Sequence, residues 1–316
     1  MSFNPYIISP QSLVTTHEET RTGFLKIALE KNKVSDPYVK NALAFRTMAN
    51  SVHSPEELLL LPNIRPFLIT ASGLSEKSLK YLTEDDQTIA IQELIEKFLK
   101  PAGKSFLDEA IYRYLLIKGD AVGGIMRNRI GVLAEEQLIR ALYASMSVRG
   151  TECDRLPLHC RKWQHLRLNM VGIESNVKAL HWKNKNGSRI LILNANIPTV
   201  EKNVDICLFQ GGPDRYEDGK IVRHEEYALM FGELKGGIDP AGADEHWKTA
   251  NSALNRIRNS FQRNGYIVKT SFIGAAIALA MAKEIYSQLQ DGTLSNAANL
   301  TKNDQLIEYC NWLIDL

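Results

Sequence analysis

Apolar positions recur at three- and four-residue intervals through the first 120 residues, and the period then changes. Thr20–Lys31, Asp36–Met48, Asp85–Leu99 and Phe106–Ile117 each read as an amphipathic helix, and Pro101 stops the third of them. Ser54-Pro55-Glu56-Glu57 combines a capping Ser, a Pro at the first helical position and a Glu at the third, which predicts a helix start with a capping box. The turn ITASGLSEKS opens a further short helix. Glycines from Gly119 to Gly124 predict a break, after which Ile125–Leu142 reads as one long helix.

Beyond that point the pattern alternates. Ser188–Asn194, Asn203–Phe209, Tyr227–Lys235 and Tyr266–Ile273 are predicted strands. Between them His246–Phe261 forms a helix with Trp247, Leu254, Ile257 and Phe261 on one face, and Ala275–Leu289 forms another. Strands alternating with helices predict an α/β fold, with a mixed central sheet flanked by helices and a helical N-terminal region. The expected division is a helical region over 1–120 and a catalytic core over 121–316.

Composition changes this picture little. Apolar residues make up 44% and charged residues 23% of the 316, as in an ordinary globular protein. The longest apolar stretch, Phe272–Ala282, is too short to span a bilayer, so no membrane partner is expected. No basic-then-apolar leader opens the chain, and four cysteines make no disulfide framework. A reduced, cytoplasmic protein is expected.

Charge is more informative in its distribution than in its sum of +2. Arg149–Arg189 holds nine Lys/Arg against three acids, and His246–Lys283 holds six with no acid. Such gathering suits a polyanion, although runs of this kind also form solvated faces.

Candidate chemistry lies in two strands. Side chains alternate along a strand, so Glu233 and Lys235 of Gly-Glu-Leu-Lys share a face. Asp205 interrupts the apolar run Val-Asp-Ile-Cys-Leu-Phe. Charges within apolar strands demand compensation, and a divalent cation with a phosphate would provide it. If the two strands are neighbours, Asp205 and Glu233 offer hard oxygen ligands for Mg²⁺, and Lys235 can orient water or steady charge on phosphorus. The competing account is a cross-strand ion pair on a solvated face. Asp214, in the turn GGPDRYEDG, is a weaker acid candidate. Cys153, His159, Cys160 and His165 fit no regular zinc spacing. Arg127 and Arg129 can hold phosphates or pair with Glu135 and Glu136, one of which can add a supporting carboxylate. Trp163 and Trp182 can stack on DNA or fill a core.

Asp205, followed 28 residues later by Glu233 in Glu-Leu-Lys, resembles the metal site of the PD-(D/E)xK nucleases, with Val in place of the usual Pro before the Asp. The stretch GELKGGIDPAGADEHWKTANSALNRI, with GDAVGGIMRNRIGVLAEEQ upstream, resembles the AvaI/BsoBI group of type II restriction endonucleases. That resemblance implies a homodimer that cuts double-stranded DNA at the degenerate palindrome CYCGRG and leaves 5′ overhangs, with Mg²⁺ as cofactor. It implies metal ligation by Asp205, Glu233 and the Leu234 carbonyl, a catalytic Lys235, and a proton-transfer role for His246. Lys202, Asp239 and Lys77 match base-contacting positions; Asp239 can equally cap a helix before Pro240, and Lys77 can equally be a solvated lysine. Two other readings stay open here: a repair or recombination nuclease of the same superfold, and a DNA-binding protein without hydrolysis.

Overall fold

The computed structural model describes residues 3–166, 172–216 and 220–316. Arg167 of the basic stretch and the end of the GGPDRYEDG turn, 217–219, lie outside the described residues. The helices are α1 (Pro10–Leu13), α2 (His17–Met48), α3 (Arg65–Ala71), α4 (Glu84–Leu94), α5 (Phe106–Val148), α6 (Ala243–Arg263), α7 (Leu279–Gln290) and α8 (Asn303–Asp315). The strands are β1 (Cys153–Pro157), β2 (Gln164–His165), β3 (Val177–Asn184), β4 (Gly187–Ile197), β5 (Lys202–Gln210), β6 (Ala228–Lys235), β7 (Lys269–Gly274) and β8 (Asn296–Asn299). The architecture is mixed α/β, with long N-terminal helices and one central sheet. Among the described residues no helix is long and apolar enough to cross a membrane.

The chain divides into two compact units, Leu25–Arg129 and the remainder, Met1–Phe24 with Ile130–Leu316. Helices α2 and α5 each run through a division point.

In the larger unit the eight strands stand in the order β2-β1-β3-β4-β5-β6-β7-β8. Pairing is antiparallel as far as β6, then parallel through β7 and β8. One face buries Ile190, Ile192, Cys207, Phe209 and Phe231 against Trp247, Leu254, Ile257 and Phe261 of α6 and Met281 and Ile285 of α7. The period-3.6 stripe of α6 is what lets it lie flat on that face. On the other face Trp182 is buried and donates from Nε1 to the Ile314 carbonyl, while Ser271 hydrogen-bonds Tyr309 of α8 at 2.8 Å. The N-terminal segment is sewn to the far edge: Asn299 donates to the Leu13 carbonyl and to Thr15 Oγ1, both at 2.8 Å.

In the smaller unit Phe45, Leu58, Ile64, Leu68, Ile91, Leu99 and Tyr114 form a separate core.

Three local expectations are corrected. Thr20–Lys31 and Asp36–Met48 are one helix, α2, with Pro37 inside it. The expected break at Gly119–Gly124 lies within the continuous α5, whose Val122 and Met126 are buried and hold the glycine turns helical. Ser54 makes no side-chain cap; Pro55–Leu60 is a short 3₁₀ turn, and Glu57 instead accepts from the His53 N–H at 3.0 Å.

Candidate active site

The β5–β6 ladder ends at the pair Ile206–Gly232. Just past it, where the strands stop exchanging backbone hydrogen bonds, stand Asp205 and Glu233. Asp205 turns its carboxylate toward β6. Its Oδ2 accepts the Leu234 N–H at 2.8 Å and the Lys235 ammonium at 3.0 Å. The same ammonium reaches Glu233 Oε2 at 2.6 Å. Lys235 therefore bridges the two carboxylates, from a face shared with Glu233 as the period-2 pattern requires.

Electrostatics at this fork favour a further cation. Glu233 is 5% exposed, and burial together with the Asp205 charge pushes its carboxyl up to about 7, against the pull of Lys235. Burial works against the Lys235 ammonium, but the two carboxylates outweigh it and raise its pKa, so it stays charged. Glu135, on α5, is also pushed up to about 7, by burial and by the charges of Asp205 and Glu136. Two carboxylates on one ammonium, with the Glu135 carboxyl acting on Asp205, leave excess negative charge when all are ionised. The donors are hard oxygens, and Mg²⁺ commonly takes one or two carboxylates plus water and phosphate oxygens. The residues present fit that ion.

Among the described residues no group of three or more His, Cys, Asp or Glu side chains is arranged to hold a metal by itself. A protein-only metal cage is therefore absent there, as is a zinc site built from Cys153, His159, Cys160 and His165. His165 and His181 instead share Asp154, each at 3.1 Å, and burial pushes the Cys153 thiol up to about 12.

The other expected residues are placed as follows. His246 lies in the first turn of α6, exposed, with its ring over the loop leaving β6: a Cβ on Gly237 or Gly242 would stand 3.2 or 3.3 Å from its Nε2. No hydrogen bond among the described residues joins it to Asp205, Glu233 or Lys235. Asp239 is exposed and caps the turn 240–242, accepting from Ala241 N–H at 3.0 Å. Lys202 is exposed at the start of β5. Lys77 is exposed in the smaller unit, ahead of the turn 78–80, and Arg129 of that unit approaches Glu30 at 3.5 Å. Asp214 is exposed on its turn. Trp182 fills the core, and Trp163 packs edge-on against His181 and Tyr216. Of the pair Glu135 and Glu136, it is Glu135 whose charge bears on Asp205.

Comparison with known proteins places the chain in a family. The model of the family described as restriction endonuclease BsoBI matches residues 3–316. The chain belongs to that family. It is 47% identical over 317 residues to the type II restriction enzyme BsoBI of Geobacillus stearothermophilus, covering 99% of this chain and 98% of that protein. It is 43% identical over 316 residues to the type II restriction enzyme AvaI of Nostoc sp. strain PCC 7120, covering both chains completely, and equally so to AvaI of Anabaena variabilis. As a BsoBI family member along its full length, it is a type II restriction endonuclease, a site-specific deoxyribonuclease acting on DNA.

Proposed function

We propose that the chain works as a homodimer that hydrolyses both strands of the palindrome CYCGRG in a Mg²⁺-dependent reaction, leaving 5′ overhangs, in the cytoplasm. The observation that carries the proposal is the fork at which Lys235 bridges Asp205 and Glu233. Asp205 and Glu233, with the Leu234 carbonyl, would hold the metal. The chemistry Mg²⁺ supplies when bound is polarisation of the scissile phosphate and a lowered pKa for the attacking water.

The protein's own groups do the rest. Lys235 Nζ, held by two carboxylates, orients the water and donates to a phosphoryl oxygen as negative charge builds there. His246, on the loop side of the same strand end, moves a proton to or from the reacting oxygens. Lys202 and Lys77 suit guanine O6 and N7, and Asp239 suits the cytosine amino group. The helical region over 1–120 embraces DNA and contributes to pairing of the two copies. A palindrome calls for two active sites related by a two-fold axis.

The test is digestion of plasmid DNA with Mg²⁺ or with chelator, followed by sequencing of the ends. Discrete fragments with 5′ overhangs at CYCGRG, lost with chelator and with Asp205→Ala, are expected. No discrete fragments with Mg²⁺, or full cleavage by Asp205→Ala, would overturn the proposal.

A further inference from the structure

Directly across β4 from Asp205 stands Asn194. The β4–β5 ladder pairs Leu193 with Ile206 and Ala195 with Val204, and passes over the position between them. Asn194 has φ +49°, in the left-handed region that strands do not use and that Asn tolerates better than other side-chain-bearing residues.

The consequence is a slip in alternation on both strands. Ile192 and Ala195, three apart, pack on the same core, and so do Cys207 and Val204 opposite them. Unbroken alternation would put Asp205 on the side of Cys207 and Phe209, in line with the apolar side chains under α6. With the slip, the carboxylate lies along the sheet instead and takes the Leu234 N–H and the Lys235 ammonium. Irregularities of this kind are known to re-aim side chains beside active sites.

We propose that Asn194 is a positioning residue whose left-handed backbone turns Asp205 out of the core and into the carboxylate pair. The proposal rests on Asp205 as a working member of the site. It requires a residue at 194 that accepts positive φ, and the Asn amide itself is dispensable.

The experiment compares Asn194→Val, Asn194→Gly and Asp205→Ala in the metal-free full chain by amide hydrogen exchange at Leu234, and with Mg²⁺ by single-turnover cleavage. Val disfavours the left-handed region and Gly accepts it. The valine variant is expected to exchange its Leu234 amide at least tenfold faster and to cleave at least tenfold slower, while the glycine variant behaves as the parent within threefold. Asn194→Ala, which disfavours the same conformation with less crowding, carries the comparison should the valine variant not fold. Parental Leu234 protection in the valine or alanine variant, or equal losses in the valine and glycine variants, would overturn the proposal. Full cleavage by Asp205→Ala would instead sink the site assignment, and the Leu234 exchange would still report whether Asn194 aims the carboxylate.

Discussion

Glu233 shows what the site asks of the fold. Its carboxyl is buried beside Asp205, which lifts it from an ordinary 4.5 to about 7. Between those values the native protein holds a proton that the unfolded chain has released, so stability falls as pH rises from 4.5 to 7 and the whole penalty is present above 7. Glu233→Gln removes the charge and keeps the shape. In metal-free protein at pH 8 it is expected to gain on the order of 1–2 kcal/mol in denaturant unfolding, with little gain at pH 5. It should also abolish Mg²⁺-dependent cleavage. Lower stability of the variant at both pH values would contradict this account. If Glu233 ligates the cation, cleavage at limiting Mg²⁺ should fall as pH drops through 7, because proton and cation compete for the same carboxylate, and saturating Mg²⁺ should move that fall to lower pH. Glu233, Lys235 and Asp205 were legible as charges in apolar strands. Asn194 was not, because nothing in the run Leu-Asn-Ala announces a left-handed backbone; that follows only from which residue stands across the ladder. The cap before Pro240 that the sequence offers for Asp239 is present, its Oδ1 accepting from the Ala241 N–H at 3.0 Å.

At the scale of elements, two glycines in different surroundings behave oppositely. Gly236 follows β6, and a Cβ there would lie 2.7 Å from Ala134 Cβ and 2.8 Å from the Ile130 carbonyl oxygen, both on α5. Backbone cannot swing aside as a side-chain tip can. Gly236→Ala is therefore expected to push α5 from the end of β6, lowering stability by about 1–3 kcal/mol in denaturant unfolding and slowing cleavage as Glu135 moves from Asp205. Gly123, inside α5, meets nothing within 4 Å. Gly123→Ala should raise stability by up to about 1 kcal/mol, since only helix propensity changes. A stable Gly236→Ala protein would show that the contact is looser than described. The same helix shows where sequence reading stops. Its glycines predict a break, and the break is overruled by Val122 and Met126, buried in neighbouring turns. Strands β4, β5 and β6 and helix α6 were legible from strong alternation or a strong stripe. Strand β3 was hidden by Lys178, His181 and Lys183, which interrupt its apolar positions. Strand β8 is four residues, and its buried Asn299 is satisfied by hydrogen bonds to the Leu13 carbonyl and Thr15 Oγ1 that only the fold supplies.

For the whole molecule, the decisive question is how one fork per chain cuts two strands. Each chain brings one set of Asp205, Glu233 and Lys235, and under the proposed mechanism each set hydrolyses one phosphodiester. On that mechanism a double-strand cut within a palindrome is expected to use two chains bound at once, related by the symmetry of the site. Co-expressing the parent chain with an Asp205→Ala chain carrying a different tag, and purifying through both tags, isolates mixed dimers. On supercoiled plasmid with one CYCGRG site, those dimers are expected to yield open circles and almost no linear DNA. Parent dimers should yield linear product, and Asp205→Ala dimers should yield neither. The dimer itself should sediment at twice the 35.6 kDa of the chain. Linear product from mixed dimers at the parent rate would mean that one fork serves both strands in turn. A chain that sediments as a monomer while cutting at the parent rate would remove the dimer from the mechanism. Nicking by the mixed species separates those outcomes because it counts active forks per cleavage event, which neither the fold of one chain nor the sequence of the cut site can do.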